Sequence, residues 1–205
     1  MGSRRPTATA FALAAAALLV ALLAPPAEAG CGGPVRAAPR HHRVPGRPPL
    51  ALGDSVMIFA VPRLAARGIE ADARGCRQLS EATSILRARK RAHTLPRLVI
   101  LALGANGSLS YDGLRGVLGL IGPNRRLALV TPREEGGGAG ADAATVRAFG
   151  RAHRRTVEIL DWVREAPGHY GWFQPDGLHL TYPGAEAYAR LMARSLPLAI
   201  PPPCA

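Results

Sequence analysis

The sequence is short of lysine, cysteine and aromatic residues, and of long apolar runs beyond its first thirty positions. Lys90 is the only lysine, so arginine carries nearly all of the positive charge. That bias, with abundant Ala, Gly and Pro, reflects genome composition more than a binding function. Aromatics make up 5% of the chain, against 48% hydrophobic residues overall, which leaves the core to Ala, Leu, Val and Ile. No run after residue 23 is long and apolar enough to cross a membrane. The three cysteines, Cys31, Cys76 and Cys204, are an odd number. A length of 205 residues suits one domain with a sizeable core.

What is present starts with an export signal. Arg4 and Arg5 form a positive segment, Phe11 to Leu23 an apolar one, and Ala27-Glu28-Ala29 a small-x-small cleavage site. The expected organisation is a signal peptide over 1–29, an extended Pro/Arg/His-rich leader over 30–47 and one catalytic-sized domain over 48–205. The expected location is secreted or cell envelope. Lipidation of Cys31 is the competing route, opposed by Glu28 where a lipoprotein signal wants an aliphatic residue. Export permits disulfides, and Cys76 with Cys204 is the expected pair, with Cys31–Cys204 close behind it. Of the 26 basic and 14 acidic residues, cleavage after Ala29 removes Arg4, Arg5 and Glu28, leaving 24 against 13. An exported chain this basic points to anionic envelope polymers or lipid headgroups rather than nucleic acid. The clusters Arg87, Arg89, Lys90, Arg91 and Arg151, Arg154, Arg155 read as solvated helix faces. His41-His42 has no further ligands at useful spacing, so no metal is expected there.

Hydrophobic periodicity predicts strands alternating with helices. Strands are expected over Pro48–Leu52, Gly68–Asp72, Leu98–Leu103, Arg126–Val130 and Val157–Trp162. Helices are expected over Ser55–Arg67, from a Ser80 cap, and over Tyr111–Leu120, Ala141–Arg155 and Pro183–Leu196, the last capped by Thr181. Unbroken aliphatics such as Leu98–Leu103 suit parallel strands covered on both faces. The predicted fold class is α/β: a three-layer α/β/α sandwich around a mostly parallel five-stranded sheet, flavodoxin-like and monomeric.

Two distant stretches carry the chemistry. Gly53-Asp54-Ser55 stands where the first strand hands over to a helix, at the sheet edge where such folds bind ligands. Taken alone, Ser55 suits a helix cap as well as a nucleophile. Pro175-Asp176-Gly177-Leu178-His179 precedes the last helix. A serine hydroxyl needs a base, and the base needs a carboxylate to fix its tautomer and stabilise its cation. Asp176 and His179, three residues apart in a turn, suit that pairing. Trp172 and Phe173 read as core cover first and as lining for a sugar or acyl pocket second.

With these residues in place, the chain resembles the SGNH (GDSL-type) hydrolases. Gly53-Asp54-Ser55, the Gly75 loop, Gly104-Ala105-Asn106 and Asp176-x-x-His179 match four ordered blocks of that family, spanning Leu50 to about Leu196. The resemblance implies Ser55 as nucleophile, His179 as general base and acid, and Asp176 as the residue that orients it. It implies an oxyanion hole from the N–H groups of Ser55 and Gly75 and the Asn106 amide. Gly107 stands where the commoner pattern has Asp, which resembles the branch fused to membrane acyltransferases. The expected activity is hydrolysis of an acyl ester, an acylated glycan included, through an acyl-Ser55 intermediate without metal or cofactor. Hydrolysis is favoured because the chain shows no membrane acyltransferase segment. Acyl transfer to cell-wall polysaccharide is the alternative, and a non-catalytic envelope-binding protein is the rival from another class.

Overall fold

The computed structural model describes residues 31–201; the expected signal segment and Cys204 lie outside them. Six strands form one sheet: β1 (Val35–Ala37), β2 (Leu50–Gly53), β3 (Glu70–Ala73), β4 (Leu98–Ala102), β5 (Arg126–Val130) and β6 (Val157–Leu160). Their order is β1-β3-β2-β4-β5-β6, with every pairing parallel except β1 with β3. The helices are α1 (Val61–Ala66), α2 (Leu79–Arg91), α3 (Tyr111–Ile121), α4 (Ala141–Ala152), α5 (Trp162–Glu165) and α6 (Tyr182–Ala193).

Side chains alternate across the sheet, and both faces are buried. Leu50, Leu52, Val99, Leu101, Leu127 and Leu129 face one way, against apolar residues of α2, α3 and α4. Ala51, Ala71, Ile100 and Ala128 face the other, against α1 and α6. Small residues on this second face let α6 approach closely, and its Ala185 and Ala189 are fully buried. Helix starts follow local chemistry. Ser110 and Thr181 each accept a hydrogen bond from the N–H three residues on, at Gly113 and Gly184. Such a cap is worth about 1 kcal/mol.

Three expectations need correction. The leader supplies the sixth strand: β1 pairs antiparallel with β3, and Arg36 Nε donates to Asp72 Oδ2 at 2.7 Å. Ser80 does not cap α2, which begins at Leu79 after an extended Gln78 that makes no side-chain cap bond. Cys31 is disulfide-bonded to Cys76, so neither expected pairing with Cys204 holds. The Cys31 sulfur that lipidation would use is engaged in that bond. Among the described residues no helix is long and apolar enough to cross a membrane.

Candidate active site

The parallel register assembles the site at the carboxyl end of β2. Gly53 sits opposite Ala73 of β3 and Ala102 of β4. The ladder continues one step on each side, with Arg74 N–H donating to Gly53 O at 3.2 Å and Asp54 N–H to Ala102 O at 3.1 Å. The next residues out are therefore Ser55, the Gly75 loop and the Ala105-Asn106 loop. Gly53 itself has no room for a side chain: a Cβ there would lie 2.5 Å from that of Met57.

Ser55 opens a single 3₁₀ segment, Ser55–Ala60, and its Oγ lies 3.0 Å from His179 Nε2. His179 Nδ1 lies 2.7 Å from Asp176 Oδ2. Asp176 Oδ1 accepts the N–H groups of Leu178 and His179, both at 2.9 Å, which locks the carboxylate in the turn. Burial works to raise the Asp176 pKa. The hydrogen bonds from Leu178 and His179 and the imidazole charge outweigh it, so the carboxyl stays below its ordinary range. An ionised Asp176 accepts from Nδ1–H, which leaves Nε2 as the acceptor facing the serine hydroxyl. Residues 124 positions apart thus meet within hydrogen-bond reach.

The Asn106 side-chain nitrogen is buried and has no hydrogen-bond partner among the described residues. Donors are rarely left so, and one at the rim of the strand that carries Ser55 invites an acceptor that is not part of the chain. Gly75 is buried two residues beyond β3, on the opposite flank of β2. The two loops approach each other, because a Cβ on Gly107 would lie 3.3 Å from the Gln78 side chain.

No family model matches the chain. It is 32% identical over 145 residues to the peptidoglycan O-acetyltransferase OatA of Listeria monocytogenes, covering 70% of this chain and 23% of that one. It is 29% identical over 155 residues to O-acetyltransferase OatA of Staphylococcus aureus, covering 72% and 25%. The chain thus spans about a quarter of the length of these relatives. Among solved structures it matches the C-terminal catalytic domain of Streptococcus pneumoniae OatA, with TM-score 0.62 and 25% identity over 75% of this chain and 94% of that one. The chain has the fold of the SGNH (GDSL-type) hydrolases. A lipase/acylhydrolase from Enterococcus faecalis shares the SGNH fold at TM-score 0.57 and 18% identity, over 78% and 100% of the two chains.

Several residues around the site carry no distinctive signal in the sequence alone. Asp54 is 1% exposed and accepts the N–H groups of Val56 at 3.1 Å and Ala105 at 3.0 Å, tying the Asn106 loop to the serine turn. Burial pushes its carboxyl up to about 6, against those hydrogen bonds and the His179 charge. Arg77, also 1% exposed, donates to Gly53 O at 3.2 Å and Asp72 Oδ1 at 2.6 Å, fixing the end of β2 from below. Arg133 donates to Gly177 O at 3.2 Å and lies over the Phe173 ring at 4.1 Å, while Gly136 N–H donates to Asp176 O at 2.8 Å. The segment after β5 thereby clasps the Asp176–His179 turn. The signal for these was an acid beside the serine and arginines near glycines, patterns too common to single out. Trp172 stacks on Trp162 at 5.4 Å and on His169 at 3.7 Å, and with Phe173 it packs against the core. Among the described residues no cluster of His, Cys, Asp and Glu could hold a metal ion.

Proposed function

We propose that this chain is an exported serine esterase that removes acyl groups, O-acetyl on a cell-envelope glycan foremost, through an acyl-Ser55 intermediate. The observation that carries the reading is the Ser55–His179–Asp176 relay, with links of 3.0 and 2.7 Å. In the first half-reaction Ser55 Oγ attacks the ester carbonyl carbon as its proton passes to His179 Nε2. The carbonyl oxygen becomes an oxyanion, for which the N–H groups of Ser55 and Gly75 and the Asn106 amide are the donors. The intermediate collapses, His179 gives the proton to the departing alkoxide, and the acyl group stays on Ser55. Water then attacks the acyl-enzyme, loses a proton to His179, and the acid leaves as Oγ recovers that proton. Throughout, Asp176 holds the imidazole and offsets its charge.

Hydrolysis is favoured because the site is open: the His179 and Asp176 side chains are 36% and 32% exposed, so water reaches the acyl-enzyme. Acyl transfer to a glycan is the second reading, favoured by the names of the relatives, which are peptidoglycan O-acetyltransferases. A fluorophosphonate should label the folded chain, and Ser55→Ala should abolish labelling. A folded wild type that resists the reagent would leave a binding protein on an enzyme's fold. Offering an acyl ester together with glycan, and counting acyl groups delivered to sugar and to water, separates the two enzymatic readings.

A further inference from the structure

Two exposed aromatic rings meet beside the site. Phe59 follows Ser55 by four residues and Tyr182 follows His179 by three. They are 43% and 69% exposed, with ring centroids 5.6 Å apart. Apolar side chains exposed singly need no explanation, whereas a pair meeting across two elements at the edge of a reactive group does. The surface next to them carries an excess of positive charge. Arg63 lies over the Tyr182 ring at 5.2 Å and donates to Phe59 O at 2.9 Å. Arg63, Arg67 and Arg190 all pair with one carboxylate, Glu186, which leaves two positive charges in surplus. Arg67 and Arg190 also line a groove of about 870 Å³ with Arg43 on its rim and Val44, Leu196 and Ile200 in its walls. Positions 182, 186 and 190 follow one another at four-residue steps on α6, so this line runs about 12 Å away from the site.

We propose that this face is a binding track for a carboxylated glycan strand, an inference that rests on the reading of Ser55 as an acyl-ester nucleophile. The polarised C–H face of a sugar ring suits the negative face of an aromatic ring, so Phe59 and Tyr182 stack the sugar nearest the acyl group. Guanidinium groups fit carboxylates through paired hydrogen bonds, so Arg63, Arg67 and Arg190 hold the acidic substituents of the next units. Glu186 keeps the three guanidiniums fanned along the track. An anionic lipid surface is the less suitable occupant, because Glu186 gathers the three guanidiniums into one line beside the rings instead of spreading them over a face.

The test uses the full chain carrying Ser55→Ala, which binds without turnover, sedimented with purified peptidoglycan before and after carbodiimide amidation of the polymer's carboxylates. In that background Tyr182→Ala and the pair Arg63→Gln/Arg190→Gln should each raise the apparent Kd tenfold or more, and amidation should do the same. Tyr170→Ala, at a ring 90% exposed on another element, and Arg87→Gln/Arg91→Gln, which removes equal charge from α2, should leave the Kd unchanged. Unchanged affinity in the track variants, equal loss in the controls, or full binding to amidated polymer overturns the proposal. So does loss of binding to phosphatidylglycerol vesicles, rather than to peptidoglycan, on Tyr182→Ala. Turnover of 4-nitrophenyl acetate by the chain with Ser55 intact is scored separately. If that fails while the sedimentation pattern holds, the esterase reading falls and the glycan track stands.

Discussion

A buried donor without a partner costs a protein about 1–3 kcal/mol. Asn106 is such a donor among the described residues, so removing its amide takes nothing from the stability of the fold. An oxyanion completing it would draw about 3 kcal/mol from the bond in the transition state. Asn106→Ala is therefore expected to lower kcat on a small acyl ester by 10²–10³-fold while its urea midpoint holds or rises. A fall in stability with kcat retained would instead make Asn106 a loop brace. Asp54 supplies a second test through pH. Its carboxyl is raised from an ordinary 3.8 to about 6, first by burial, against hydrogen bonds from Ala105 and Val56 and the charge of His179. Between those two values the native state binds more protons than the unfolded chain, so stability falls as pH rises. The contribution of protonated Asp54 is thus fully present below about pH 4 and lost as pH passes 6. Asp54→Asn holds a neutral group at every pH. Relative to that variant, the wild type should lose up to about 3 kcal/mol between pH 4 and 7, read from urea midpoints. A pH-independent difference would mean that Asp54 stays ionised throughout.

At the scale of elements, what the sequence made legible was what a segment decides for itself. The strand Arg126–Val130 has the bounds expected of it, starting one residue ahead of the aliphatic run Leu127–Val130. The last helix is marked by Thr181 and Pro183, a hydroxyl cap and a proline in the first turn, and both act in those roles. By contrast β1 has three residues amid Pro, Arg and Gly, and its strand character comes from the free edge of β3 rather than from a pattern of its own. Six residues from Ser55 cannot separate a period of 3.0 from one of 3.6, so the turn read as the start of an α-helix is 3₁₀. The same division runs through the site. Ser55, Asp176 and His179 were legible as candidates because nucleophile chemistry demands those residue types, and the chain holds the first just past a strand and the other two in a turn before the last helix. Asp54, Arg77 and Arg133 were not. Their work is done on Ala105, Gly53 and Gly177, and contacts with main chain 24 to 51 residues away leave no mark on composition or spacing.

For the molecule as a whole, the disulfide between Cys31 and Cys76 matters more than the charge balance. It closes a loop of about 45 residues that contains β1, β2, the serine turn and β3, for which chain entropy gives about 4 kcal/mol of stabilisation. Cys76 directly follows Gly75, and its φ of 56° is one that a side-chain-bearing residue adopts at a cost of about 1–2 kcal/mol. The crosslink thus holds both the edge of the sheet and a strained loop beside the candidate oxyanion donor. Cys76→Ala removes the bond and keeps the strain, whereas Cys76→Gly removes both. Tm should therefore fall in the order wild type, Cys76→Gly, Cys76→Ala, with the first step the larger and about 10 °C in size. Reductant should bring the wild type to the level of the alanine variant and leave both variants where they are. Because Gly75 is loosened in either variant, kcat on a small ester should also drop at a temperature where each remains folded. A Tm indifferent to reductant would remove this account of how the leader and the β3 loop are held.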